Sequence, residues 1–172
     1  MRFRPCIDLH DGVVKQIVGA TRSDEADNGP TINYKARKPA AWFADLYRRD
    51  GLTGGHVIQL GPGNAEAARS ALSRWPGGLQ VGGGINADNA AEWLDAGASH
   101  VIVTSWVFSQ GRIHLSRLKQ LADKIGKKRL VLDLSCRKRG KAYRIATNRW
   151  QTFTSESVTY ELMDRLSDYC DE

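Results

Sequence analysis

The chain has 172 residues, a formal net charge of +6 and three cysteines. Its hydrophobic fraction of 41% and charged fraction of 26% are typical of a folded globular domain and exclude a disordered chain. No stretch reaches the ~18 unbroken apolar residues of a membrane helix, and no signal peptide is visible, so we expect a cytoplasmic protein with no membrane partner. Cys6, Cys136 and Cys170 form no CxxC pair, which favours reduced thiols and predicts no metal site.

The positive charge is concentrated in two segments, residues 124–129 and residues 137–141. Two interpretations stay open: a solvated surface, or a field that attracts an anionic, phosphorylated substrate. The chain has no nucleic-acid recognition motif, so we expect no nucleic-acid partner.

Five short apolar runs each end on a glycine or a small polar residue. They occupy residues 3–7, 56–60, 79–81, 101–103 and 130–132. Runs so rich in Val, Ile and Leu predict parallel strands that are covered on both faces. After the first interval they recur about every 20 to 30 residues, which leaves room for a helix between strands. Alternating strands and helices predict an α/β fold, either a doubly wound sheet or a barrel.

The segments between these strands have the patterns of loops and helices. Residues 10–33 predict a long loop, which is often functional. Five helices are predicted. The first opens at Pro39, the second runs over 64–74, the third starts after an Asn86 cap, the fourth spans 113–125 and the fifth starts near Ser157. Residues 141–145 resemble one strand of a hairpin. We expect one domain over residues 1–172.

Two of the predicted strands end in aspartate. Asp8 follows the first and Asp133 follows the fifth, and these strands would face each other across an eight-stranded barrel. Paired carboxylates across a pocket suit acid–base chemistry, because each disfavours ionisation of the other. The alternative is that each aspartate is only a cap or turn residue.

Small residues follow the third and fourth predicted strands. Gly82, Gly83 and Gly84 would let the backbone approach a ligand, and the amides of the next helix N-terminus would bind a phosphate. Thr104 and Ser105 could add hydroxyl donors. The alternative is a tight turn without a ligand.

Two further residues are candidates for substrate contact. Trp150 lies in a polar segment and could stack on a heterocyclic ring, although it could equally pack under its own loop. His10 is close in sequence to Asp8, and a plain loop position is its other interpretation.

Several blocks of this sequence resemble the histidine-biosynthesis isomerase family, and their residues are most similar to those of its fungal-type branch. They are CIDLHDGVVKQIVG (6–19), QVGGGIN (80–86), VIVTSW (101–106), VLDLSCR (131–137) and NRWQT (148–152). Members of this family convert phosphoribosylformimino-5-aminoimidazole carboxamide ribotide (ProFAR) from aminoaldose to aminoketose by an Amadori rearrangement.

The resemblance implies a (βα)8 barrel that acts on a phosphorylated small molecule without a cofactor and without an obligate protein partner. It implies that Asp8 is the general base for the C2 proton of a ring-opened Schiff base. Asp133 would be the general acid that protonates the ribose ring oxygen. The implied phosphate site consists of Gly83, Gly84, Thr104 and Ser105, and Trp150 would stack on the substrate.

The sequence also departs from the family pattern. Bacterial members have Gly-Thr in place of Thr104-Ser105, and usually an aspartate near Gln59 and Gly61. Residues 1–172 hold only about the first five βα units, so we expect a partial barrel, inactive by itself, with strands 1 and 5 as open edges. The open alternatives are the sister cyclase barrel of the pathway and a non-catalytic truncated fragment.

Overall fold

The computed structural model describes residues 3–17, 31–147 and 152–172. Its strands are β1 (Cys6–His10), β2 (Val13–Ile17), β3 (Ile32–Lys35), β4 (Gly55–Gln59), β5 (Leu79–Gly82), β6 (His100–Val103), β7 (Phe108–Ser109), β8 (Arg112–Ile113), β9 (Leu130–Leu132), β10 (Cys136–Arg139), β11 (Ala142–Thr147) and β12 (Thr152–Ser157). Its α-helices are α1 (Ala40–Arg49), α2 (Ala65–Arg74), α3 (Ala90–Asp95), α4 (Leu115–Ile125) and α5 (Tyr160–Ser167).

A seven-stranded sheet in the order β3-β2-β1-β4-β5-β6-β9 organises the molecule. β1, β4, β5, β6 and β9 are mutually parallel, which confirms the predicted α/β fold. A doubly wound sheet reverses its strand order at a switch point. These parallel strands instead follow chain order, as in a barrel. Within the described residues the sheet has two edges and does not close.

The predicted long loop after the first strand is wrong in part. β1 runs on through His10, turns at Asp11 and Gly12, and returns antiparallel as β2. Both turn residues have positive φ (52° and 72°), as a two-residue hairpin turn requires. The buried Asn64 side chain accepts a hydrogen bond from the Gly12 amide at 2.8 Å. β1 is therefore an interior strand, and the expectation that it forms an open edge is wrong.

The helices begin close to where the sequence predicts, with one informative difference. Pro39 is the N-cap of α1, as expected. α3 begins only at Ala90, because the Asn86 side chain accepts hydrogen bonds from the amides of Asp88 and Asn89 and so stabilises a turn. Ile113 belongs to the hairpin β7–β8 rather than to the next helix.

A separate antiparallel sheet, β10-β11-β12, follows the last parallel strand. The hairpin-like run predicted at residues 141–145 lies in and just before its central strand. The amide of Ala146 donates to the carbonyl of Ser135 at 2.9 Å, which fixes this sheet beside the carboxyl end of β9.

The core lies between the helices and one face of the parallel strands. Fully buried side chains on that face include Ile7, Leu9, Val57, Leu79, Val81 and Val101. The alternate residues form the opposite surface, here called the inner face: Cys6, Asp8, His56, Ile58, Gln80, Gly82 and Ile102. The strand register places Asp8 beside Ile58, Ile58 beside Gly82 and Gly82 beside Ile102.

The two ends of the described chain meet on the inner face. Arg4 forms an ion pair with Glu172, and the Gln80 side chain donates to the same carboxylate at 3.4 Å. The amide of Asp171 donates to the carbonyl of Leu130, and the amide of Leu132 donates to the carbonyl of Glu172. The edge of β9 that does not face β6 is thereby partly hydrogen-bonded by residues 171 and 172.

Candidate active site

A cavity of about 370 Å³ opens at the carboxyl ends of the parallel strands. It is lined by Asp8, Ile58, Gln59, Gly82, Gly83, Ile102, Thr104, Ser105 and Asp133, with Ser135, Ile145, Ala146 and Thr147 from the region of the antiparallel sheet. Five of the predicted site residues therefore meet at one place. Gly84 is adjacent in sequence to this lining, and Trp150 lies outside the described residues.

Asp8 lies within β1 rather than just after it. It occupies the inner face in register with Ile58 of β4. The Cys6 thiol, two residues earlier on the same face, donates a hydrogen bond to Asp8 Oδ1 at 3.0 Å. One carboxylate oxygen of Asp8 is thus engaged on the side away from the strand end.

Asp133 immediately follows β9, and its amide donates to the carbonyl of Val103 at 3.0 Å. The Ser135 hydroxyl lies 3.3 and 3.4 Å from its two carboxylate oxygens. The residue reaches solvent through the cavity, but surrounding protein atoms restrict solvation of its carboxyl group. This burial raises the pKa of Asp133 above its usual value, and the Ser135 hydrogen bond and the charge of His56 oppose the rise.

The glycine turn after β5 depends on Gly83. Its φ is +94°, and a Cβ at this position would lie 2.1 Å from the carbonyl oxygen of Gln59. Only glycine fits between the turn and β4 at this point. Gly84 also has positive φ (+71°) but faces open space.

The amides at the start of the third helix take part in a local turn. Asn86 N–H donates to the Asn89 side chain at 3.0 Å, and the amides of Asp88 and Asn89 donate to the Asn86 side chain, as the predicted cap requires. Phosphate binding by amides of this segment stays a prediction. Thr104 and Ser105 line the cavity.

Sequence reasoning missed Ser135. The signal was available, because a residue two positions from an aspartate on extended chain shares its face. His10, the other candidate near Asp8, is not among the cavity-lining residues. Its Nδ1 lies 2.7 Å from Asp11 Oδ2 and 3.1 Å from Lys15 Nζ at the hairpin turn.

Two searches of the described ranges give negative results. Among residues 3–17, 31–147 and 152–172, no group of three or more His, Cys, Asp or Glu side chains could hold a metal ion. Within the same ranges, no helix has the length and apolar character needed to cross a membrane.

Comparison with known proteins is consistent across the chain. A family model described as "Histidine biosynthesis protein" matches residues 2–171. A chloroplastic 1-(5-phosphoribosyl)-5-((5-phosphoribosylamino)methylideneamino) imidazole-4-carboxamide isomerase from Medicago truncatula is 52% identical, over 100% of this chain and 57% of its own length. Isomerases of the same name from Yarrowia lipolytica and Neurospora crassa are 49% and 51% identical, over 99% of this chain and 66% and 67% of their own. The chain thus spans roughly three-fifths to two-thirds of these relatives.

Proposed function

The chain belongs to the family of histidine biosynthesis proteins, and on that premise we propose that it carries the acid–base pair of an isomerase that converts ProFAR into its phosphoribulosyl isomer. The fold of this family is a (βα)8 barrel. The chain-order sequence of parallel strands agrees with the first five units of such a barrel. We propose that residues 1–172 form that partial barrel domain.

The observation that carries this proposal is the opening of Asp8 and Asp133 into one cavity from the first and fifth parallel strands. This aldose–ketose rearrangement opens the ribose ring and relocates protons and double bonds without adding or removing any atom, so an acid and a base suffice for it. The two aspartates have different surroundings, as the two roles require. Asp133, whose pKa is raised, suits the acid, and Asp8 suits the base.

The chemistry follows in two steps. Asp133 donates a proton to the ribose ring oxygen while the substrate nitrogen forms a double bond to C1 and the C1–O bond breaks, which gives an open-chain Schiff base. The Asp8 carboxylate then removes the C2 proton, and the electron pair moves to give an enolamine. Tautomerisation, with a proton gained at C1 and one lost from the C2 hydroxyl, yields the aminoketose.

We propose that Gly83, Gly84, Thr104 and Ser105 hold the nearer phosphate of the substrate. The backbone amides of Asn86, Asp88 and Asn89 already donate hydrogen bonds within their own turn. The hydroxyls of Thr104 and Ser105 therefore provide most of the proposed donors to this phosphate. Trp150, for which only the sequence resemblance argues, is proposed to stack on the substrate.

The proposed protein is cytoplasmic and acts without a cofactor, nucleic acid, membrane or obligate protein partner. One relative carries "chloroplastic" in its name, so location follows the individual protein rather than the family. Cell fractionation followed by size-exclusion chromatography of the natural protein tests both parts. Recovery in an organelle or in a stable hetero-complex would contradict them.

The decisive experiment measures ProFAR turnover by the natural protein and by two variants. Asp8→Asn and Asp133→Asn should each lower kcat by about 100-fold or more, with substrate binding largely kept, because each removes a proton-transfer group but no bulk. Ser155→Ala, on β12 and away from the cavity lining, is the matched control. Consumption of the phosphoribulosyl isomer in the presence of ammonia, without turnover of ProFAR, would favour the sister cyclase instead.

A further inference from the structure

Each of the two carboxylates receives a side-chain hydrogen bond from a residue two positions away. The Cys6 thiol donates to Asp8 Oδ1 at 3.0 Å. The Ser135 hydroxyl approaches both oxygens of Asp133, at 3.3 and 3.4 Å. One donor comes from the amino-terminal side of its aspartate and the other from the carboxyl-terminal side.

Both donors are held in place by elements other than their own. The Tyr47 hydroxyl of α1 donates to the carbonyl of Cys6 at 3.2 Å, and Cys6 lies in register with His56 of β4. The carbonyl of Ser135 accepts from the amide of Ala146 in β11 at 2.9 Å. The donor positions therefore depend on packing between elements, which makes them suited to fix a carboxylate.

We propose that Cys6 and Ser135 are positioning residues that orient the carboxylates of Asp8 and Asp133 in the cavity. Their part in catalysis rests on the proposed function, whereas the hydrogen bonds themselves do not. A thiol is a weak donor, and the Ser135 contacts are long. The two donors therefore orient the carboxylates and leave them free to exchange protons, as proton-transfer groups require.

Other titratable and charged groups face the same carboxylates. His56, in register with Cys6 on β4, interacts electrostatically with both carboxylates, and burial, followed by the charge of Arg4, lowers the pKa of its imidazole. Tyr47 approaches Asp8 from α1, and Glu172 pairs with Arg4 beside His56. A test must therefore change the donors alone and leave these groups in place.

Carboxyl titration by NMR of the 172-residue chain with 13C-labelled aspartate provides that test. Ser135→Ala should raise the titration midpoint of Asp133 by about half a pH unit, because it removes a hydrogen bond that favours the ionised form, whereas Cys6→Ala should leave that midpoint unchanged. Ser135→Thr keeps a donor and should restore the original midpoint. If Ser135→Ala leaves the midpoint of Asp133 unchanged, the role of Ser135 is overturned.

A second measurement needs no change at either donor. Cys6 and Cys136 are both exposed, so alkylation of Cys6 by iodoacetamide, quantified by mass spectrometry against Cys136, reports the ionisation of the Cys6 thiol. Burial and the neighbouring Asp8 charge raise the pKa of that thiol. Asp8→Asn should therefore accelerate Cys6 alkylation several-fold relative to Cys136. An unchanged ratio would show that the thiol and the carboxylate do not interact.

The ProFAR assay distinguishes failure of this proposal from failure of the proposed function. If the isomerase is confirmed, Ser135→Ala should move the basic limb of the kcat/KM profile to higher pH, and both Ser135→Ala and Cys6→Ala should affect kcat more than KM. If ProFAR is not a substrate while the Asp133 midpoint and the alkylation rates change as stated, the positioning contacts stand and the isomerase assignment fails. Active enzyme with an unchanged midpoint and an unchanged alkylation ratio would confirm the isomerase and overturn the positioning role of Cys6 and Ser135.

Discussion

The environment of a single carboxyl group, that of Asp133, links the geometry of the cavity to the pH dependence of folding stability. Its amide is fixed by Val103 and its side chain sits among atoms of the surrounding loops and strands. Burial is the largest cause of its raised pKa, so the folded state holds this proton more tightly than the unfolded state does.

Asp133→Asn should therefore stabilise the chain slightly at neutral pH. Below the usual pKa of an aspartate both states are protonated, so the wild type and the variant should be equally stable there. As pH rises through the raised pKa the wild type alone loses stability, by about 0.5 kcal/mol or less, because solvent in the cavity screens the charge. Urea unfolding at pH 3 and pH 7 measures this difference. Equal midpoints for the two proteins at pH 7 would contradict it.

At the glycine turn, two adjacent residues offer a matched pair. Gly83→Ala should destabilise the fold by about 2 kcal/mol or more, because the new Cβ meets the Gln59 carbonyl at a positive φ. Gly84→Ala has a similar φ but open space, so its cost should be about 1 kcal/mol. Urea midpoints measure both, and equal costs would contradict the steric argument.

At the scale of elements, the hairpin between β1 and β2 depends on a side chain that follows it by about 50 residues. Asn64 is 1% exposed; it accepts from the Gly12 amide and donates to the carbonyls of Gly61 and Pro62. One amide group thus joins the turn to the start of α2. Because β1 carries Asp8, this contact also helps to fix the position of the proposed base.

Asn64→Ala should lower the free energy of unfolding by about 1 to 3 kcal/mol, since it removes three part-buried hydrogen bonds between this side chain and the backbone. Asn64→Asp keeps the acceptor for Gly12 and loses the two donors. Denaturant unfolding combined with hydrogen exchange at Gly12 measures both effects. Faster exchange at Gly12 in the alanine variant but not in the aspartate variant is expected, and identical exchange in the two would argue against the contact.

The elements that the sequence predicts well are those defined by burial. Four of the five apolar runs coincide with parallel strands to within one residue at each end, because continuous burial on both faces leaves an unambiguous apolar signal. The first run is displaced to Cys6–His10, where buried Ile7 and Leu9 alternate with polar residues of the inner face. β2, β3, β10 and β12 lack such a signal, since each keeps at least one exposed residue and none is buried along its whole length.

The candidate site shows the same division. Asp8 and Asp133 could be placed together because chain order fixes where parallel strands end. The bonded amides around Asn86 and the donor role of Ser135 depend on local side-chain turns and on the neighbouring sheet. The spacing of Ser135 from Asp133 is visible in the sequence, but the contacts that hold it and the turn around Asn86 depend on side-chain conformations and on a neighbouring sheet, which the apolar pattern does not specify.

At the scale of the whole molecule, the groove beside α5 leaves apolar surface exposed. The groove, of about 710 Å³, lies between Leu132, Leu134 and the helix residues Tyr160 and Met163. Tyr160 is 92% exposed and Met163 48%. Exposed apolar patches of this kind favour association.

We therefore expect residues 1–172, produced as such, to be inactive and to self-associate. Sedimentation velocity over a range of concentrations measures the association. The double variant Tyr160→Ser, Met163→Ser should weaken it, whereas Tyr143→Ser, which removes an exposed ring from β11, should not. A concentration-independent, active monomer would refute this expectation.

The ion pair between Arg4 and Glu172 joins residues that are 168 positions apart. At about 5 to 20 residues per second, a ribosome needs roughly 10 to 30 s to make the chain between them. Arg4 therefore emerges long before its partner exists, whereas β1 can pair with β4 as soon as residues 55–59 have been made. The ion pair consequently forms on a sheet whose first parallel strands are already paired, and it is a late contact in the synthesis of these residues.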